Sequence, residues 1–152
     1  MKPISIRPYE ASDYNELCLI HDAARKIELS QASLDDAFLP FSIASEREDF
    51  FEYPYIDVAI MDGKIAGFCA YTEEELAWLY VSADKMRQKI GTAMVERALQ
   101  KAPDINAIEV LVGNEPARKL YESFGFSVRN VVGGVMPGNE SFPVRVYCMA
   151  RK

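Results

Sequence analysis

The chain has 152 residues, 49% of them hydrophobic, 26% charged and 11% aromatic, and carries a formal net charge of −6. That length and apolar content suit one globular domain, 1–152, and exclude a disordered tail or a disulfide-stapled miniature. A net negative charge also argues against a nucleic-acid binder, whose affinity comes largely from Lys and Arg neutralising phosphates.

No apolar run approaches the ~18 residues of a spanning helix, and Met1 to Tyr9 lacks the apolar stretch of a secretory signal, so the expectation is a cytoplasmic protein with no membrane partner. Charge is unevenly distributed: residues 1–80 hold 16 acidic and 6 basic side chains, residues 81–152 hold 7 and 11. The first half suits a cation and the second a polyanion, although an ordinary surface can show the same split. Cys18, Cys69 and Cys148 stand apart among apolar neighbours, which predicts buried free thiols rather than ligands or a disulfide. The single histidine, His21, leaves too little material for a zinc site or for Ser-His-Asp chemistry, so no metal is expected.

In chain order, Ile4 to Arg7 reads as a first strand, and Ser12 or Asp13 can cap a helix with Leu17, Cys18, Ile20, Ala24 and Ile27 at helical spacing. His21 lies on or beside that stripe and reads as a core-edge residue. Two capping-box patterns, Ser33 with Asp36 and Ser45 with Glu48, bracket Pro40 and predict two short helices broken near the proline. The aromatic residues between Phe38 and Tyr55 are expected in the core, with some walling a pocket. Tyr55 to Met61 and Lys64 to Tyr71, separated by Asp62-Gly63, predict a hairpin with a type I′ turn. Then follow a strand over 75–81, a helix over 89–101, a strand over 106–112, and a helix over 115–124 with Asn114 as N-cap, Pro116 in its first turn and Gly125 beyond its end. Two last strands, 126–132 and 144–149, flank an 11-residue connection, Gly133 to Pro143, rich in turn-formers and expected to line a site. An exposed C-terminal edge strand would allow sheet pairing in a homodimer.

The strand that runs through a short loop into a helix near Gly91 forms an anion site, because free N–H groups and the helix dipole converge there beside Lys85, Arg87 and Lys89. With neither G-x-G-x-x-G nor a P-loop present, the guest expected is a phosphate-bearing ligand other than a dinucleotide or nucleoside triphosphate.

This segment resembles the GNAT superfamily of acyl-CoA-dependent N-acyltransferases, whose signature is Arg/Gln-x-x-Gly-x-Gly/Ala. The matching positions are Met86, Lys89 and Gly91, of which only Gly91 keeps the family residue. A second block matches fully: Asn114, Ala117, Tyr121 and Gly125-Phe126 reproduce Asn-x-x-Ala-x-x-x-Tyr-x-x-x-Gly-Phe. The resemblance implies an α/β (α+β) fold, a mostly antiparallel seven-stranded sheet with splayed parallel fourth and fifth strands and about four helices.

It also implies acetyl-CoA as co-substrate. Leu79, Tyr80 and Val81 would face its pantetheine amides, and the amides of Arg87, Gln88, Lys89, Ile90, Gly91 and Thr92 would receive its pyrophosphate. Asn114, Ala117, Lys119 and Tyr121 would complete the cofactor-binding set. Lys89 stands where the family has a glycine, a position suited to positive φ or close approach.

Acyl transfer to an amine needs a neutral amine, stabilisation of an oxyanion and a proton for the thiolate. An alkylamine with a pKa near ~10 is mostly protonated at pH 7, so a base is required. By the resemblance, Tyr121 supplies the proton and Glu75 acts as base, directly or through water, with Glu73 and Glu74 as rivals. The expected activity is direct acetyl transfer to the primary amine of a small molecule or peptide. The alternatives are protein lysine or N-terminal acetylation, and a non-catalytic CoA-binding or interaction module.

Overall fold

The computed structural model describes residues 3–151. Strands β1 (Ile4–Pro8), β2 (Tyr55–Met61), β3 (Lys64–Tyr71) and β4 (Leu76–Val81) form an antiparallel sheet in that order. The β2–β3 turn is the expected one: Asp62 and Gly63 both take positive φ, 55° and 72°, which matches the twist of the strands they join. Strands β5 (Ile108–Leu111), β6 (Ser127–Met136) and β7 (Asn139–Ala150) form a second antiparallel sheet, ordered β5-β7-β6.

The expected seven strands are therefore divided between two sheets, which meet at one parallel bridge, Glu75 to Ala107. Three backbone bonds hold that junction: Leu76 N–H to the Ala107 carbonyl at 3.1 Å, and the Asn106 and Ala107 N–H groups to the Glu74 carbonyl at 2.9 and 3.2 Å. Beyond it β4 pairs only with β3, so the β4 edge facing β5 carries backbone groups with no strand partner.

Helix α1 (Tyr14–Gln31) buries Leu17, Ile20 and Ala24 as its spacing predicts, but Ile27 is 40% exposed. Pro40 does interrupt the following segment, and helix α2 (Phe41–Arg47) begins directly after it. The Ser45–Glu48 capping box is not formed, since Ser45 lies buried inside α2 and Glu48 at its C-terminal end. Pro40 takes the N-cap place, and Asp22 of α1 accepts the Phe41 N–H at 2.9 Å. Phe41, Phe50, Phe68 and Trp78 pack edge to face between these helices and the first sheet, for example Phe50 on Trp78 at 5.0 Å and 80°. On the other face of the sheet, helix α3 (Ile90–Lys101) buries Ile90, Met94, Val95 and Ala98.

The C-terminal region departs from the sequence reading. Residues 133–143 are not a connection but the continuation of two strands, closed by Pro137-Gly138 with Met136 opposite Asn139. Gly133-Gly134 are tolerated because β6 is an edge strand, and Pro143 because it lies beyond the end of β5, where β7 has β6 on one side only. The last strand, β7, is consequently central, and the exposed edge is β6 with Val131, Val132 and Val135 at its surface. All three cysteines are free, but only Cys69 is fully buried, with Cys18 and Cys148 partly accessible. Among the described residues no helix is long and apolar enough to cross a membrane.

Candidate functional site

Separation of β4 from β5 opens a cleft of about 560 Å³, walled by β4, the loop 85–89, the first turn of α3 and helix α4 (Glu115–Glu122). Of the residues expected at a cofactor, Leu79, Tyr80, Val81, Arg87, Lys89, Ile90, Gly91, Thr92, Asn114, Ala117 and Tyr121 line it. Gln88 and Lys119 are not among its lining residues.

The loop into α3 holds two non-glycine residues in the left-handed region, Arg87 at φ 65° and Lys89 at φ 66°. Such conformations cost ~1 kcal/mol or more each and persist where the surroundings impose them, commonly at ligand clamps. Lys89, at the N-cap of α3, thus keeps the backbone conformation that a glycine would adopt there. Successive N–H groups in turns of this kind face a common concavity, and the positive end of the α3 dipole adds to it. Lys85, Arg87 and Lys89 bring cationic side chains to the same wall. At Gly91 a Cβ would stand 3.2 Å from Leu120 Cδ2, so the missing side chain lets α4 close against α3.

Helix α4 starts as the sequence predicts. Asn114 Oδ1 accepts the Ala117 N–H at 3.3 Å, while its Nδ2 donates to Glu28 Oε2 at 3.1 Å. Tyr121, only 6% exposed, has no hydrogen-bond partner for its hydroxyl among the described residues. Burial raises its pKa, with Glu28 and Cys69 adding to the shift, so the group is a protonated phenol at neutral pH.

Glu28 is a functional candidate absent from the sequence reading. It accepts from Arg25 at 2.6 Å, Tyr80 Oη at 3.1 Å and Asn114, tying α1, β4 and α4 together at the gap between the sheets. Glu28, Ala77, Tyr80 and Glu109 also line a second, inner cavity of about 180 Å³ on the opposite side of the gap, so the two spaces adjoin. His21, Arg25, Glu48, Trp78 and Met136 form its other walls.

An outer space continues from there, lined by Arg47, Glu48, Tyr53, Glu75, Glu109 and Glu140. Glu75 therefore lies in the outer space, whereas Tyr121 lies in the cleft. Burial raises the Glu75 pKa, and nearby Glu109 raises it further. Glu48 is pushed up to about 7, first by burial, with Arg25 opposing and Glu140 reinforcing the shift. Glu73 and Glu74 line none of these spaces; Tyr55 Oη donates to Glu73, and the Glu74 carbonyl holds the β4–β5 junction.

The aromatic segment and the C-terminal hairpin do meet at this site, as the sequence suggests, through a hairpin tip rather than a loop. Arg47 donates to the Gly138 carbonyl at 2.8 Å and Asn139 Nδ2 to the Ala37 carbonyl at 3.0 Å. Among the described residues no group of three or more His, Cys, Asp or Glu could hold a metal ion.

A strand pair splayed over a helix N-terminus, with a tyrosine at the gap, is the arrangement that the acyltransferase resemblance implies. The acetyltransferase (GNAT) family profile matches residues 17–126, and the chain belongs to that family of acetyl-CoA-using N-acetyltransferases. Solved structures agree in fold. A GCN5-related N-acetyltransferase from Rhodopseudomonas palustris superposes with a TM-score of 0.78 at 17% identity, covering 100% of this chain and 97% of the other. The apo form of YjaB from Escherichia coli gives 0.69 at 24% identity, with 97% of each chain covered. The ribosomal-protein-S18-alanine N-acetyltransferase of Escherichia coli gives 0.68 at 21% identity, covering 98% and 93%. No curated protein sequence matches the chain.

Proposed function

We propose that the protein transfers the acetyl group of acetyl-CoA directly to the primary amine of a small molecule or peptide, both substrates being bound at once. The observation that carries this reading is that the cleft adjoins, through the β4–β5 gap, an inner cavity that continues into an outer space of opposite character. The cleft has cationic side chains at a helix N-terminus, and the outer space has Glu48, Glu75, Glu109 and Glu140 on its walls.

The residues present fit acetyl-CoA. The left-handed backbone at Arg87 and Lys89, the α3 N-terminus and three basic side chains suit a pyrophosphate. The free edge of β4 at Leu79 to Val81 suits amide groups that need backbone partners, and Asn114 and Ala117 flank them from α4. Bound acetyl-CoA supplies an acyl group activated as a thioester. Tyr121 holds a proton for the departing sulfur, and its raised pKa keeps that proton in place until negative charge appears beside it. A backbone N–H of β4 near Tyr80 or Val81 meets the charge that develops on the carbonyl oxygen. The carboxylates on the far side attract a cationic amine and exclude anions.

The test is thiol release from acetyl-CoA across a panel of primary amines and peptides, with the acetylated product identified by mass. Product with at least one amine, lowered ~100-fold or more in kcat by Tyr121→Phe, is the expected result. Saturable acetyl-CoA binding with no acetylated product anywhere in a broad panel would overturn it in favour of a binding module.

A further inference from the structure

We propose that His21 is the base of the acceptor site, its Nε2 taking the proton that the ammonium must lose before its nitrogen can attack the acetyl carbon. The inference rests on the acetyl-transfer reading and assigns a residue that neither the family block nor the Glu75 expectation includes.

His21 is 2% exposed and lines the inner cavity, the space that adjoins the cofactor cleft. Its Nδ1 lies 2.9 Å from Asp22 Oδ1, an oxygen that also accepts the Phe41 N–H at 2.9 Å. A carboxylate only accepts, so Nδ1 carries the hydrogen and Nε2 presents a lone pair. Asp22 is itself held by the start of α2, and it fixes both the tautomer and the ring plane. This is the orienting relation that general bases require.

Among the described residues the one fully enclosed side-chain nitrogen or oxygen without a partner is Arg97 Nε. Among the described residues no hydrogen bond is made to His21 Nε2, and the ring lines the cavity. The ring stands edge-on to Tyr80 at 5.0 Å between centroids, and Tyr80 lines both the cleft and the cavity.

The rivals are placed less well. Glu75 lines the outer space and not the inner cavity. Glu48 borders both, but among the described residues no hydrogen bond orients its carboxylate. Glu28 spends its oxygens on Arg25, Tyr80 and Asn114.

Burial lowers the His21 pKa, Asp22 raises it, Arg25 lowers it and Glu28 raises it, and the balance lies below the ordinary 6.5. Tyr80 from β4, Glu48 from the end of α2 and Glu109 from β5 share the cavity with it. The imidazole is thus neutral and able to accept a proton at pH 7.

His21 Nε2 takes one proton from the ammonium and later releases it to solvent. The neutral nitrogen then bonds to the acetyl carbon and the C–S bond breaks; sulfur takes the Tyr121 proton, and the second proton leaving the nitrogen restores the tyrosine.

Because His21 is the only histidine, a ¹⁵N-labelled imidazole gives one unambiguous set of resonances. The expected spectrum at pH 7 is the Nδ1–H tautomer, with the Nε2 resonance displaced on adding propylamine or spermidine. An Nε2–H tautomer, or an Nε2 resonance indifferent to an amine that the protein acetylates, would overturn the assignment. In kinetics, His21→Gln should lower kcat ~100-fold at pH 7, with the deficit closing toward pH 10 as the amine deprotonates unaided. Wild-type and variant profiles running parallel from pH 5.5 to 10 would also overturn it. If acetyl-CoA binds and no amine is acetylated, the transfer reading fails through absence of product, and the tautomer and amine response still decide the state of His21.

Discussion

Replacing Glu48 by glutamine should make the protein more stable above pH 7 and leave it unchanged near pH 4. Glu48 is half-buried at the end of α2, has no hydrogen bond to its carboxylate among the described residues, and has a pKa pushed up to about 7 from an ordinary 4.5. The folded protein therefore holds this proton more tightly than the unfolded chain. Between pH 4.5 and 7 the unfolded state ionises first, so stability falls as pH rises and levels off above 7. A displacement of that size corresponds to ~3 kcal/mol at most, and partial exposure reduces it to ~1–3 kcal/mol. Glutamine has nearly the shape of the protonated acid and does not ionise. Urea denaturation at pH 4, 6, 7 and 8 measures the difference directly. The two proteins should agree at pH 4 and diverge by ~1–3 kcal/mol at pH 8, the variant being the more stable. Parallel curves across this range would refute the placement of Glu48 in an acidic, poorly solvated wall.

Other expectations follow from the cleft and its supports. Tyr121→Phe should lower kcat ~100-fold with little change in acetyl-CoA dissociation constant, measured by thiol release and calorimetry; loss of binding instead would make the hydroxyl a ligand contact. Lys89→Gly should relieve ~1 kcal/mol of backbone strain while removing one charge, so acetyl-CoA affinity should become less dependent on salt concentration. Gly113→Ala should destabilise by more than ~2 kcal/mol, because φ is 111° and a Cβ would stand 2.7 Å from the Gln31 carbonyl oxygen at the end of α1. A thermal melt of that variant indistinguishable from wild type would show that α1 is not seated there.

Much of this architecture is legible in the sequence where local chemistry and tertiary demand coincide. Asp62-Gly63 suits only a tight reversal, and Asn114, Pro116 and Gly125 mark both ends of α4 by capping alone. The hairpin at 133–143 was obscured for the opposite reason. Its glycines and prolines are turn-formers locally, and only their place on a sheet edge and beyond the end of β5 makes them strand residues.

Met86 and Lys89 depart from the family signature, and side-chain identity hides that Lys89 takes the glycine-like conformation. At the site, Asn114, Ala117 and Tyr121 were recognisable from a spaced motif, and β4 with the loop into α3 from the strand-loop-helix at Gly91. His21 and Glu28 were not, since both lie on α1 far from that motif. Their signal is subtler: they are spaced seven apart on the stripe that carries Leu17 and Ala24, and polar side chains that interrupt a buried stripe require partners or a cavity.

If the cleft between β4, α3 and α4 holds acetyl-CoA despite Met86 and Lys89, a thermal-shift titration detects it. Ligand at one hundred times its Kd should add ~2.7 kcal/mol, which for a domain of this size raises Tm by roughly 5–10 °C. A saturable rise with acetyl-CoA and none with ATP is the expected result. An unchanged Tm at millimolar acetyl-CoA would show that the cleft does not hold it.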